Sequence, residues 1–163
     1  MKKLMIFAAL IVFMITAARA ETVDFKQMDM TFQLPSGFKK VREVANNNTA
    51  QLMFSVGGLG GGGRSITITG YNRRYSDPAE VAKMDIENRK KDPLFQKITP
   101  IKINGAGAAT FYTYNPKKAA PMLFQISIYT KLHYIGIECG STPEDSAAFE
   151  KVIVNMLKSI NMR

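Results

Sequence analysis

From Met30 onward the chain alternates apolar and polar residues in short runs, and twice it switches to helical spacing. Met30-Thr31-Phe32-Gln33-Leu34 has the period of two that sends alternate side chains to opposite faces of a strand, and it stops at the turn signal Pro35-Ser36-Gly37. Phe38 to Val44 predicts a second short strand and Asn46-Asn47-Asn48 a loop. Gln51 to Val56 predicts a third strand, with Leu52, Phe54 and Val56 on one side. The glycine-rich run from Gly57 to Gly63 leads into Ile66-Thr67-Ile68-Thr69, which alternates again. Strand patterns on both sides make this run a hairpin connection. A mobile loop that docks a partner is the functional alternative.

Asp77-Pro78-Ala79-Glu80 is a helix start: Asp77 caps, Pro78 suits the first helical position, and Glu80 falls three after the cap. The helix is expected to run to about Lys91 and to end before Asp92-Pro93, with Val81, Met84 and Ile86 as a thin apolar stripe. Phe95 to Ile103 suggests a strand broken near Pro100, and Asn104-Gly105 a tight turn of hairpin type. Ala108 to Tyr114 returns as a strand, and Asn115-Pro116-Lys117-Lys118 reads as a loop. Met122 to Thr130 follows, with Phe124, Ile126 and Ile128 on one face; Tyr134 to Cys139 is the last strand, with Ile135, Ile137 and Cys139 together. The terminal helix is the clearest element. Thr142 is expected to cap it, Pro143 to open it and Asp145 to complete the cap, while Phe149, Val152, Ile153, Met156, Leu157 and Ile160 form one stripe. That stripe must cover something apolar, and the sheet is the available surface. Strands and helices arrive in groups, so the fold class is α+β: an antiparallel sheet of about six to eight strands flanked by two helices.

The first twenty residues are of a different kind. Met1-Lys2-Lys3 is a short positive start, Leu4 to Ala18 is an essentially apolar run of fifteen residues, and Ala18-Arg19-Ala20 places small residues where a signal peptidase reads. A permanent span needs about 20 apolar residues. Residues 1–20 are therefore expected to be a cleaved secretory signal, with cleavage between Ala20 and Glu21, rather than an uncleaved anchor. No cysteine stands there to carry a lipid. The mature module, residues 21–163, is expected as one domain working in the periplasm or outside the cell, without a membrane span.

Lys2, Lys3 and Arg19 would leave with the signal, which lowers the formal charge from +9 to +6. The remaining basic residues are scattered, as Lys39-Lys40, Arg73-Arg74, Arg89-Lys90-Lys91 and Lys117-Lys118, which fits an ordinary solvated surface and no nucleic-acid partner. Cys139 is the one cysteine, so it has no internal partner and is expected to be buried.

The chemical inventory is thin. A Cys–His pair would need Cys139 and His133 together, yet on one strand they stand about 20 Å apart at about 3.3 Å per residue. His133 therefore reads as a satisfied structural histidine at a strand end, or as a lone pH-sensitive contact. One His and one Cys do not make a zinc site. The glycine run is followed by a strand and not by Gly-Lys-Ser and a helix, so it is no phosphate loop. Asp85 and Glu87 are two apart on a helix and do not face each other. No cofactor or metal is expected. One constellation points outward: Tyr71-Asn72-Arg73-Arg74-Tyr75, in which Tyr71, Arg73, Arg74 and Tyr75 have the composition favoured at protein interfaces.

Three features together resemble the PsbP-like superfamily, including the bacterial DcrB-like proteins. They are Phe32-Gln33-Leu34-Pro35-Ser36-Gly37-Phe38 near the mature start, the order of the elements, and the ending in which Phe149, Ile153, Leu157, Ser159 and Ile160 recur. The departures are Phe38, where the family often has Trp, and the length of the glycine run. The resemblance implies an α/β/α sandwich and non-enzymatic work as an accessory or adaptor. The photosynthetic members assist the oxygen-evolving complex, and no functional residue carries across from them. The expected function is an exported accessory or adaptor module that binds a protein or envelope component. A small-ligand carrier with a cavity between sheet and helix is the alternative, drawn from the ten methionines of the chain; a hydrolase with an unfamiliar site is the third.

Overall fold

The computed structural model describes residues 20–57, 63–119 and 121–163. The expected signal segment up to Arg19, with Ala18 in it, and the greater part of the glycine run (residues 58–62) lie outside the described residues. In chain order the elements are β1 (Glu21–Phe25), β2 (Met30–Leu34), β3 (Lys39–Ala45), β4 (Thr49–Ser55), β5 (Ser65–Asn72), α1 (Pro78–Arg89), β6 (Phe95–Ile101) and β7 (Ala108–Tyr114). They continue with α2 (Pro116–Ala119), β8 (Met122–Tyr129), β9 (His133–Gly140), α3 (Ser146–Lys158) and β10 (Asn161–Met162).

Seven strands pair in the order β3-β4-β5-β9-β8-β7-β6, every neighbour antiparallel. Their registers align the apolar phases. Leu52, Ile68, Ile137, Ile126 and Phe111 form one row across five strands. Such cross-strand neighbours on one face are the unit of sheet stabilisation. Ile66, Ile68, Ile126, Ile128, Ile135, Ile137 and Cys139 are all fully buried. Burial pushes the Cys139 thiol up, away from reactivity.

Two layers cover this face. One is the three-stranded sheet β1-β2-β10, from which Met30, Phe32 and Leu34 enter the core. The other is α3, whose Phe149, Ile153, Met156 and Leu157 are buried. Phe149 is the hub: its ring lies 6.1 Å from that of Phe124 and 6.2 Å from that of Phe38, with the Arg64 guanidinium 5.5 Å from its centroid. Helix α1 lies on the opposite face, against β7 and β8.

The α+β class and the antiparallel sheet agree with the sequence reading, and the departures have local causes. β1 and β10 were not expected, and with β2 they make a second, smaller sheet. A short helix, α2, replaces the expected loop at Pro116, so the helices number three among the described residues. β6 runs through Pro100 because it is an edge strand paired only with β7, where a missing N–H is harmless. Asn104-Gly105 turns with the Ala106 N–H donating to the Ile103 carbonyl at 3.2 Å, but only Gly105 has positive φ, so this is not the expected two-residue hairpin turn. A side chain at Gly105 would collide with the Met162 carbonyl, which is why the close approach of β10 requires glycine there.

The Asp77 cap is formed, its carboxylate accepting from the Ala79 and Glu80 N–H groups at 2.9 and 3.1 Å. The Thr142 cap is not. A 3-10 turn over Pro143–Asp145 precedes α3, and Thr142 makes no side-chain capping bond. Asp145 is taken instead by Arg64, whose Nη2 donates to Oδ1 at 2.7 Å, and by the Ser141 hydroxyl at 3.1 Å. The hydrogen bond from Arg64 holds the Asp145 carboxyl below its ordinary value.

Two outcomes are expected. Phe149→Ala should cost about 3–5 kcal/mol in urea unfolding, as for other fully buried aromatics. Asp145 titrates at lower pH folded than unfolded, so its contribution is whole at neutral pH and is lost as pH falls through the folded value. Asp145→Asn should therefore lower the thermal midpoint at pH 7 and leave it unchanged at a pH where the wild-type carboxyl is already protonated.

Candidate functional site

The alternation that sends isoleucines to one face of the large sheet sends a polar, aromatic set to the other. Three rows cross it: Tyr112, Gln125, Glu138 and Thr67; Thr110, Ser127, Gly136 and Thr69; and Tyr129, Tyr134 and Tyr71. All six tyrosines of the chain belong to this side, with Tyr114 on β7 and Tyr75 reaching in from the loop after β5.

Helix α1 rests on this face by polar contacts. Only Pro78 and Ala82 of the helix are buried. Arg89 Nε donates to Asp85 Oδ1 at 2.9 Å, and Tyr112 donates to Asp85 Oδ2 at 2.6 Å. Arg89 Nη1 donates to Gln125 Oε1 at 2.7 Å, an oxygen shared with the Tyr114 hydroxyl at 2.8 Å. The same guanidinium lies 4.6 Å from the Tyr112 ring centroid and 5.1 Å from that of Phe95. Burial raises the Tyr112 phenol far above its usual range, and the Asp85 carboxylate adds to the rise. Burial is the largest influence on Arg89 and opposes its charge, but the hydrogen bond to Asp85, the charge of that carboxylate and smaller contributions from Tyr112 and Tyr134 together outweigh it, and the guanidinium ends above its ordinary value.

Because α1 covers β7 and β8, part of the face beside it stays open. A groove of about 400 Å³ runs between Val81, Met84, Asp85 and Asn88 of the helix and Arg73, Tyr75, Tyr129 and Tyr134. Tyr71, Tyr134, Tyr129 and Tyr75 form a continuous chain of rings, with centroids 5.9, 5.2 and 5.8 Å apart in that order. Tyr134 leans over Gly136 toward the Ser127 hydroxyl, 3.3 Å away. Burial raises the Tyr75 phenol, partly offset by the nearby Arg73. The loop carrying Arg73 and Tyr75 is pinned by backbone bonds from their N–H groups to the carbonyls of Leu132 (2.9 Å) and Lys131 (3.0 Å).

The structure thus brings Arg73 and Tyr75 into the groove and Tyr71 to its end, while Arg74 is exposed outside the lining. Tyr129, Tyr134, Asp85, Asn88 and Arg89 were missed. The signal for Tyr129 and Tyr134 is their place in the strand phase opposite the isoleucines; the three α1 residues carry none in the sequence. Met84, part of the thin apolar stripe expected on α1, is 60% exposed on the groove wall. Four other methionines, Met28, Met30, Met156 and Met162, fill the core.

His133 is nearly buried at the start of β9. Its Nδ1 lies 3.1 Å from Asn72 Oδ1 and its Nε2 3.3 Å from Asp29 Oδ2, and Cys139 stands toward the far end of the same strand. Among the described residues no three His, Cys, Asp or Glu side chains gather as a metal site, and no helix is long and apolar enough to cross a membrane. Ala20 is exposed, and Glu21 opens β1 opposite Leu34.

The fold is similar to the solution structure of cyanobacterial PsbP (CyanoP) from Synechocystis sp. PCC 6803, with a TM-score of 0.54 and 9% sequence identity over 91% of this chain and 95% of that one. The fold is therefore PsbP-like. No protein-family model and no curated protein matches the sequence.

Arg89→Met should leave Asp85 and Gln125 short of a partner and cost about 1–3 kcal/mol. Hydrogen exchange is expected to quicken selectively across α1, with β5, β8 and β9 keeping their protection.

Proposed function

We propose that this protein is an exported, non-enzymatic accessory or adaptor module, PsbP-like and akin to the bacterial DcrB-like proteins. It works in the periplasm or outside the cell after loss of residues 1–20 and docks on a protein of the envelope through the tyrosine groove. The observation that carries this reading is the chain Tyr71-Tyr134-Tyr129-Tyr75 beside Arg73, on a sheet face that α1 covers only in part. Tyrosine and arginine are the side chains that most often anchor interfaces. Here the rings are already packed on one another, so little rotamer freedom remains to be lost on binding. Tyr71 and Met84, at 42% and 60% exposure, are among the most exposed large apolar side chains described, and both border the groove.

The test is capture from the native host with residues 21–163 tagged at the C-terminus and lightly crosslinked. One dominant envelope protein is expected at near-stoichiometric yield. Arg73→Glu with Arg74→Glu should reduce its recovery at least about tenfold, with an unchanged circular dichroism spectrum. Lys117→Glu with Lys118→Glu, a charge reversal of equal size away from the groove, should not. Equal recovery by all three proteins would remove the groove from the function.

A further inference from the structure

The groove's charges divide into a satisfied floor and an unsatisfied wall. On the floor, both Asp85 oxygens are engaged, one by Arg89 and one by Tyr112. Arg89 is spent on Asp85, Gln125 and the Tyr112 ring. On the wall, the Arg73 guanidinium makes no ion pair or side-chain hydrogen bond among the described residues; its contact is the Tyr75 ring, 5.7 Å from centroid to Cζ. An arginine stacked on a ring still presents the N–H edge of its planar fork, a geometry that matches a carboxylate in two-point contact. Of the acidic side chains that follow Arg73, Asp77 is committed to the α1 cap and Asp85 to the floor, while Glu80 is exposed and lies off the groove lining.

We infer that the groove receives an extended, acidic segment of a partner protein: a carboxylate side chain on the Arg73 fork, next to an apolar or aromatic side chain lying across Tyr129, Tyr134 and Met84. The inference rests on the docking function proposed above and names the chemistry of the partner. Charge complementarity sets the sign, since the one uncommitted charge on the lining is positive. The shape sets the class. The arginine stands at a recess between helix and sheet, whereas a membrane surface is met by clusters of about four to eight basic residues. Arg73-Arg74 is a single pair, and Lys39-Lys40 and Lys117-Lys118 belong to other elements.

The experiment uses residues 21–163 and an array of acetylated, amidated octapeptides, so that carboxylates come only from side chains. Bound peptides should carry Asp or Glu beside an apolar or aromatic residue. Changing that acidic residue to Asn or Gln should weaken binding about tenfold or more. Arg73→Ala should cost the same factor, and the two changes together no more than either alone, the mark of a direct pair. Amide shifts on titration should cluster at Arg73, Tyr75, Val81 and Tyr134. Neutral peptides bound as well as acidic ones, independent effects of the two changes, no binder in the array, or Arg73-dependent binding of phosphatidylglycerol vesicles in place of peptide would each overturn the inference. If native capture depends on Arg73 and Arg74 while the peptide cycle shows no coupling, the acidic-segment inference falls and the docking function stands. If capture ignores both arginines, the docking function falls first.

Discussion

The constraint on which the structure depends is the phase agreement between neighbouring strands. Side chains alternate with a period of two, so a slip of one residue in any strand would move its isoleucines to the opposite face. The registers of β4, β5, β9, β8 and β7 avoid this together, as the row Leu52, Ile68, Ile137, Ile126 and Phe111 records. Once that face is apolar, α3 and β2 have a surface to cover, and Phe149 and Phe32 have rings to meet. The same parity forces the tyrosines to the far side, so the candidate site is the complement of the core.

The two flanking helices are consequently held by different physics. α3 buries an apolar stripe and is attached by area removed from water. α1 buries little and is attached by the Asp85, Arg89, Tyr112 and Gln125 network. Area is non-directional, whereas a hydrogen-bonded carboxylate and guanidinium fix position. The network holds α1 in place over β7 and β8 and so sets the width of the groove between Met84 and Tyr134. A helix attached through one partly exposed polar network is also the element with least to lose in a local opening.

Much of this was legible in the sequence. The strand phases, the α3 stripe and the Asp77 cap follow from spacing and local chemistry alone, and the structure keeps them. The segment Tyr71 to Tyr75 stands out by composition, and two of its four named residues, Arg73 and Tyr75, line the groove, with Tyr71 stacked on Tyr134 at its end. What was hidden depends on tertiary pairing. β10 is two residues long, and it exists because it pairs with β2, Asn161 opposite Thr31 and Met162 opposite Met30. Thr142 does not cap α3 because a 3-10 turn over Pro143–Asp145 intervenes, and Arg64, 81 residues from Asp145 in the chain, claims the carboxylate expected to complete the cap. Met84 fits an inward stripe by spacing, but α1 approaches the sheet through Asp85 and Arg89, and the polar contact rotates Met84 outward. Alternation told which face each tyrosine takes; it could not tell that a helix would shelter some and leave others open.

The PsbP-like scaffold at 9% identity carries architecture and no residue roles, so the groove has to be understood from this chain's own contacts. Those contacts give His133 a place without giving it chemistry. Its ring bridges Asn72, immediately before Arg73, to Asp29 in the turn between β1 and β2. The Asp29 carbonyl in turn accepts from the N–H of Arg163, whose guanidinium pairs with Asp24 of β1 at 2.6 Å. The small sheet, the chain's end and the groove loop are therefore linked through one imidazole. The arginine that the groove leaves uncommitted stands on a loop fixed on one side by the β9 hairpin and on the other by the small sheet. A binding group held this way meets its partner already oriented, and that preorganisation is what a lone, solvent-facing arginine on a free loop would lack.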